Sequence, residues 1–370
     1  MCTDESTLTV DRRRPSSTEE EKRMRGLEGF ARDAEGQATY FGTRALGTYA
    51  DLLRALEPLF ARYPAIHARV EQAWTGRDFQ ADYERPLLFL AALRRDAQAR
   101  ADHPLRSVLG DDAGGSTPVD RRALARALEE GAHFYESLRD RFVQTNECTR
   151  AIAWRLPLAR FEGDRVALVD LGCSAGLNLV ADRVPVWWVD GRDQGLYVAD
   201  TGRVEARIGL DRAPVDLGRE DDVAWLRACL WPGQHERRTR FEAAVSAAKL
   251  AISNGEMRVE TVDATEMPAW LERYSRAHPE LVVLAFQTVF AEYLPPEALR
   301  FYLEGMKAWV AGDSHSRLWV ELERAPEGCP GPAELKAHFG ERSVVVASCE
   351  YHPLVINIDQ PKLDALLFDT

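Results

Sequence analysis

From about Leu27 to Val143 the apolar residues recur every three or four positions, the spacing of amphipathic helices. Leu46, Tyr49, Leu53, Leu56 and Phe60 make one stripe. Leu124, Leu128, Phe134, Leu138 and Phe142 make another, in a stretch rich in Ala and Arg. Between them, the run that opens at Arg85-Pro86 predicts a further helix with proline in its first turn. No strand pattern interrupts this region. The segment 111–118 has turn chemistry and is expected to be an exposed loop.

After Phe161 the pattern changes. Val166-Ala-Leu-Val-Asp170-Leu reads as a short buried strand, followed at once by Gly172-Cys-Ser-Ala-Gly176 and a helical Leu177-Asn-Leu-Val. Further strands are expected at 204–210, 257–262, 281–286, 317–322, 343–347 and 354–358, and helices at 223–230, 240–252 and 296–310. Apolar strands separated by amphipathic helices predict an α/β fold: a Rossmann-like, doubly wound, mostly parallel sheet. The last two strands have no helix between them and should pair antiparallel. The expected organisation is a polar, disordered tail over 1–25, an all-helical N-terminal region over 26–155 and the Rossmann-like domain over 156–370.

Composition narrows this picture only modestly. The chain has 370 residues, 45% of them hydrophobic, with 47 basic residues against 59 acidic ones and a formal net charge of −12. That acidity argues against a nucleic-acid or anionic-membrane partner, which needs a concentrated basic face. Cysteines stand at 2, 148, 173, 229, 329 and 349 with no CxxC pair, and the histidines show no HxxxH or HxxH spacing. A zinc ribbon is therefore not expected, and scattered thiols fit a reducing cytoplasm. No window approaches a membrane span, and the polar N-terminus lacks the apolar core of a secretory signal.

The glycine turn after the first Rossmann strand has three readings. As a dinucleotide GxGxxG it matches at one of three positions, because Ser174 and Leu177 stand where glycines should. As a nucleophile elbow GxSxG it matches fully, and chain order permits a triad of Ser174, Asp263 or Asp313, and His352. That elbow normally follows earlier strands of the sheet and an oxyanion segment, and neither precedes this one. As the first motif of class I methyltransferases, Asp170, Gly172, Ser174 and Gly176 match at three of four positions. Glycines there let backbone approach a ligand closely, and a following helix offers its positive end to a carboxylate.

Downstream segments fall into register with the third reading. Asp211 stands at the end of the second strand, where an acid accepts from ribose hydroxyls; the stretch 187–201 is then an insertion, read as a hairpin. Asp263-Ala264 follows the third strand, beside an adenine, and Gln287-Thr288 ends the fourth, toward the transferable methyl. Each residue also has an ordinary structural reading as a turn residue, a cap or a strand-end polar group.

Over its second half the chain resembles class I S-adenosylmethionine-dependent methyltransferases. More narrowly, from about Arg32 onward, it resembles the bacterial family called domain of unknown function 2332. Asn146-Glu147 with Arg150, Asp170 through Leu179, Gly209-Leu-Asp211 with Pro214, and Trp231-Pro232 followed by Arg237 carry that resemblance. His352-Pro353 departs from the His-Gly of relatives. The resemblance implies S-adenosylmethionine as cofactor, bound by Asp170, Gly172, Ser174, Gly176, Asp211, Asp263, Ala264 and Gln287, with an unidentified small-molecule or protein acceptor. A non-catalytic binding module of the same fold is the alternative, and a serine hydrolase the third reading. Glu147 and Arg150 stand just before the first strand, where an N-terminal helix could close over the cofactor, though their i, i+3 spacing is more often that of a helix-surface ion pair. Trp187, Trp188 and Trp231 are candidates for an acceptor wall, and Glu321, Glu323 and His352 for strand-end groups reaching the same cleft.

Overall fold

Val166–Leu171 forms β1, buried at every position, as a central strand with helices on both faces must be. The remaining strands are β2 (Val189–Asp190), β3 (Val204–Asp211), β4 (Met257–Thr261), β5 (Val282–Thr288), β6 (Arg317–Arg324), β7 (Ala333–Phe339), β8 (Arg342–Cys349) and β9 (Val355–Ile358). In the computed structural model they form one nine-stranded sheet, ordered β2-β9-β8-β7-β6-β5-β1-β3-β4. The structure describes residues 27–161, 163–191, 194–196, 198 and 201–368. The tail expected over 1–25 and several residues of the expected hairpin lie outside these.

Five strands, β4-β3-β1-β5-β6, are parallel neighbours. Numbered along the chain they run 3-2-1-4-5, so the order reverses between β1 and β5. Beyond β6 the sheet turns antiparallel through β7, β8 and β9. The expected antiparallel pairing of the last two strands is thus present. β7 is an addition to the expected set; its Ala-Glu-Leu-Lys-Ala-His-Phe alternation buries one face and leaves Glu334 and Lys336 half-exposed. Within the insertion, Asp190 N donates to Gln194 O and Leu196 N to Trp188 O, a small hairpin whose β2 arm pairs parallel to β9.

The helical part comprises α1 (Leu27–Gly42), α2 (Gly47–Arg62), α3 (Pro64–Ala73), α4 (Glu84–Ala99), α5 (Arg121–Glu130) and α6 (Ala132–Asp140). Local signals explain several boundaries. Pro64 opens α3, Pro86 sits in the first turn of α4, and the Asp120 carboxylate accepts from Arg122 N at 2.8 Å to cap α5. The apolar stripes meet in one core around Phe30, Leu53, Phe89 and Phe134, except that Phe142, the last residue of the second stripe, lies past the end of α6 and is exposed. The 111–118 loop is mostly exposed, as its turn chemistry predicts, but it is anchored at two points. Ala113 is buried, Gly115 O accepts from Thr48 N, and Ala113 O accepts from Gly233 N, so the loop docks against two elements.

Four helices cover the sheet: α7 (Glu220–Ala228), α8 (His235–Ser253), α9 (Met267–Ala277) and α10 (Pro296–Ala311); α11 (Gln360–Phe368) closes the described chain. α8 packs on the face of Leu168 and Phe286, while α9 and α10 pack on the face of Val169 and Trp319. α7 joins the two parts of the molecule. Its Val223 and Leu226 enter the sheet core, whereas Trp225 and the following Cys229 enter the helical core. Trp225 Nε1 donates to Phe142 O, and Arg95 and Arg141 hold Asp221 and Asp222 across the junction.

Candidate functional site

The turn after β1 has Gly172, Ser174 and Gly176 in left-handed backbone, at φ of 73°, 54° and 71°. Glycine adopts this conformation freely, and Ser174 holds it against steric preference. Packing adds a second demand. A Cβ on Gly172 would stand 2.2 Å from Phe290 Cδ2, and one on Gly176 would stand 2.3 Å from Met257 Cε. Phe290 follows β5, so its ring lies over Gly172 between the carboxyl ends of β1 and β5, where the strand order reverses. Gly172→Ala is therefore expected to lower stability by about 2–4 kcal/mol, from left-handed strain plus overpacking. Urea unfolding of Gly172→Ala with and without Phe290→Ala checks this; the clash component should vanish in the double variant.

The expected helix after Gly176 is a seven-residue 3₁₀ helix, Leu177–Arg183. Such a segment aligns fewer peptide dipoles than an α-helix, so the positive helix end expected at this turn is weak. Asp211, at the end of β3, spans to the turn: its Oδ2 accepts from Ser174 N and its Oδ1 from Ala213 N, each at 2.8 Å. Asp170, Ser174 and Asn178 each keep a buried side-chain oxygen (Oδ2, Oγ and Oδ1) without a hydrogen-bond partner among the described residues. Burial, with the Asp211 charge second, pushes the Asp170 carboxyl well above its ordinary range.

The other expected site residues lie apart from this cluster in their bonding. Asp263 Oδ1 accepts from Thr265 N and Thr265 Oγ1, capping the short turn after β4, and these bonds lower its carboxyl. Ala264 is buried in the core under α9 and α10. Gln287 is fully buried on the sheet face opposite Asp170. Its Oε1 accepts from Tyr302 Oη and Trp319 Nε1, and its Nε2 donates to Glu323 Oε1. Glu323 also accepts from the backbone N–H groups of Phe290 and Ala291, and burial pushes its carboxyl up to about 7. Gln287 and Glu323 thus hold the segment that carries Phe290.

One strand further along, a cavity of about 500 Å³ opens between the helical part and the carboxyl ends of β5 and β6. Val289, Arg324 and His352 reach it from the sheet, Tyr40 and Tyr83 from the helical part, and Trp231 from the turn after α7. Val289 has φ of 52°, an uncommon conformation for a β-branched residue and one that concentrates at functional sites. None of Asp170, Gly172, Ser174, Gly176, Asp211, Asp263, Ala264 and Gln287 lines this cavity.

Arg150 and Arg237 do line it, and both are buried. Glu147 does not form the expected surface pair with Arg150. It is 2% exposed, caps the following turn through Thr149 N, and faces Arg237 Nε at 2.9 Å and Arg240 Nη2 at 3.4 Å. The Arg237 contact is close but lies outside aligned hydrogen-bond geometry, leaving Arg237 to donate to Thr145 O and Gln234 Oε1 instead. The i, i+3 turn itself forms, with Arg150 N donating to Glu147 O, but it is buried and the two side chains turn to different partners. His352, against Trp231 with ring centroids 5.2 Å apart, is held well below its ordinary range by burial and then by Arg237, Arg150, Arg240 and Arg44.

The three tryptophans do not form one wall. Trp231 lines the cavity, Trp188 is buried with its Nε1 donating to Thr149 O, and Trp187 is 82% exposed. Glu321 pairs with His338 rather than entering the cleft. For a triad, Asp313 is at the wrong edge: it precedes β6 and bonds His315 N and Ser316 N, while Ser174 sits at the carboxyl ends of the strands. Among the described residues no group of three metal-ligating side chains occurs, no helix is long and apolar enough to cross a membrane, and the cysteines are free.

A single sequence showed the turn but not the cavity, whose walls come from positions more than 300 residues apart. The resemblance residues were the available signal. Asn146-Glu147, Arg150, Trp231-Pro232 and Arg237 cluster at or beside the cavity, not at the glycine turn. No curated protein matches the chain. The bacterial family described as an uncharacterized protein conserved in bacteria, domain of unknown function 2332, matches residues 35–357, and the chain belongs to it.

Proposed function

We propose that the chain is an S-adenosylmethionine-dependent methyltransferase with an unidentified small-molecule or protein acceptor. The observation that carries this reading is the lining of the first turn. Asp170 Oδ2 and Ser174 Oγ stand buried and unpartnered beside the Asp211 carboxylate, at the reversal point of strands ordered 3-2-1-4-5. A buried carboxylate oxygen without a donor is costly, and a cationic N–H group relieves that cost. The ammonium of an amino-acid-bearing cofactor is such a donor.

In this reading Asp170 and Ser174 take the amino-acid end. Asp211 offers ribose hydroxyls the lone pairs left over from Ser174 N and Ala213 N, and Asp263 with Ala264 flanks the adenine. When bound, the cofactor supplies an electrophilic methyl on its sulfonium; the protein supplies alignment with the acceptor. Gln287 acts from behind, through Glu323, on the 290–291 backbone. Phe290 moves off Gly172 to admit the ligand.

Isothermal titration with S-adenosylmethionine and S-adenosylhomocysteine tests this. Micromolar binding is expected, weakened about tenfold or more by Asp211→Ala, which also frees two backbone donors. Binding should release a proton. A nearby ammonium lowers the Asp170 carboxyl from its raised value, so affinity rises with pH from the ordinary carboxylate range up to that value and then levels. No binding at millimolar ligand contradicts the reading.

The engagement of Gln287 in an internal network favours a second reading, a cofactor-binding module without transfer. Binding with no labelled methyl passed to any component of a cell extract would select it. The hydrolase reading has no bonded Ser174 to stand on. A fluorophosphonate probe should leave Ser174 unlabelled.

A further inference from the structure

The buried guanidiniums of the molecule are compensated in different ways. Arg207 grips Asp182 at 2.7 and 2.9 Å, Arg237 faces Glu147, and Arg94 donates to Leu230 O. Arg150, like Arg94, has no carboxylate partner among the described residues, but unlike Arg94 it lines the cavity. It is 6% exposed. Its Nε donates to Tyr351 O at 2.9 Å and its Nη1 weakly to Thr288 O at 3.5 Å, leaving Nη2 without a hydrogen-bond partner among the described residues. Buried charges are ordinarily paired, because the desolvation cost is otherwise uncompensated.

The surroundings sharpen this asymmetry. Glu147 is one carboxylate beside Arg237 and Arg240, and it lies within electrostatic range of Arg150 without contacting it. Of the three acidic residues on the cavity wall, Asp33 faces Arg85, Glu292 faces Arg324, and Asp82 is exposed to solvent. Flat aromatic side chains share the cavity lining with the guanidinium. Trp231 meets Tyr40 edge-on at 6.3 Å, and Tyr83 meets Tyr293 at 6.1 Å. A volume of about 500 Å³ suits a small molecule.

We propose that this cavity binds a small organic carboxylate with a flat body, its anionic end on Arg150 and its rings between Trp231 and the Tyr83–Tyr293 pair. The inference rests on the cavity alone and stands whether or not the turn after β1 binds a cofactor. A planar carboxylate matches the fork of a guanidinium and supplies the missing counter-charge. If the methyltransferase reading holds, the carboxylate belongs to the acceptor.

The test is ¹⁹F NMR titration of the full chain with 4-fluorobenzoate, and with the neutral 4-fluorobenzyl alcohol as control. The acid is expected to bind at least tenfold more tightly than the alcohol, and Arg150→Gln to erase that preference, while Arg150→Lys retains part of it. Tyr83→Ala, which leaves the guanidinium in place, should weaken the acid as well. A saturating amount of S-adenosylhomocysteine should leave the acid bound; its displacement would show that the acid sits in the cofactor's site and would overturn the proposal of a separate one. Equal binding of acid and alcohol by the wild type, unchanged binding by Arg150→Gln, or no binding of the acid at millimolar concentration overturns the proposal. The alcohol control needs no variant, so it decides the matter even if Arg150→Gln fails to fold.

Discussion

Glu147→Ala is expected to cost about 3–5 kcal/mol of folding stability, the range for breaking a buried ion pair from one side. The side chain is 1% exposed and faces two guanidiniums, of which Arg237 is itself 5% exposed. Removing the carboxylate leaves both charges in a low-dielectric interior beside Arg150. It also strips the cap from Thr149 N. Urea unfolding followed by circular dichroism reads the loss. The partner substitution sets the sign of the explanation: Glu147→Leu with Arg237→Met should recover most of the stability, because the pair costs more to break than to replace. If Glu147→Ala alone were within 1 kcal/mol of wild type, the network would be solvated and this account of it wrong.

Asp170→Asn should act in the opposite direction on stability while weakening ligand binding. The folded carboxyl is raised above its unfolded value by burial and by Asp211, so the native state holds the proton longer than the unfolded one. Its contribution is favourable below the ordinary carboxylate range and is lost as pH rises toward the raised value. The amide carries no charge to desolvate. Wild type and variant should therefore melt together near pH 4, and the variant should melt a few degrees higher at pH 7–8, a gain of about 1–3 kcal/mol. The same variant loses the charge that the proposed ammonium contact needs, and S-adenosylhomocysteine should bind at least tenfold more weakly. A stabilising change that weakens binding is the signature of a site held ready at a cost to the fold.

The parts of the molecule that were legible in the sequence share one property: their pattern is local. The parallel strands are short apolar runs, and 166–171, 281–286 and 317–322 lie within a few residues of β1, β5 and β6. β7 escaped because its solvent-side Glu334 and Lys336 break the apolar run that marks a buried parallel strand, although the period of two is present. The turn at Gly172–Gly176 was legible because three left-handed residues leave a glycine-and-serine trace. The cavity was not, since its walls join Tyr40, Arg150, Trp231 and His352 only through the tertiary fold. Glu147 illustrates the limit most clearly: spacing gave it Arg150 as partner, while the fold gave it Arg237 and Arg240.

Hydrogen exchange with mass spectrometry, in the presence and absence of S-adenosylhomocysteine, locates the ligand directly. Slowed exchange is expected in peptides covering 170–178 and 211–213, where the unpartnered oxygens and the Asp211 carboxylate lie. No protection at those segments under saturating ligand, or protection confined to the segment around Tyr351 and His352, would contradict the assignment of the glycine turn as the cofactor site.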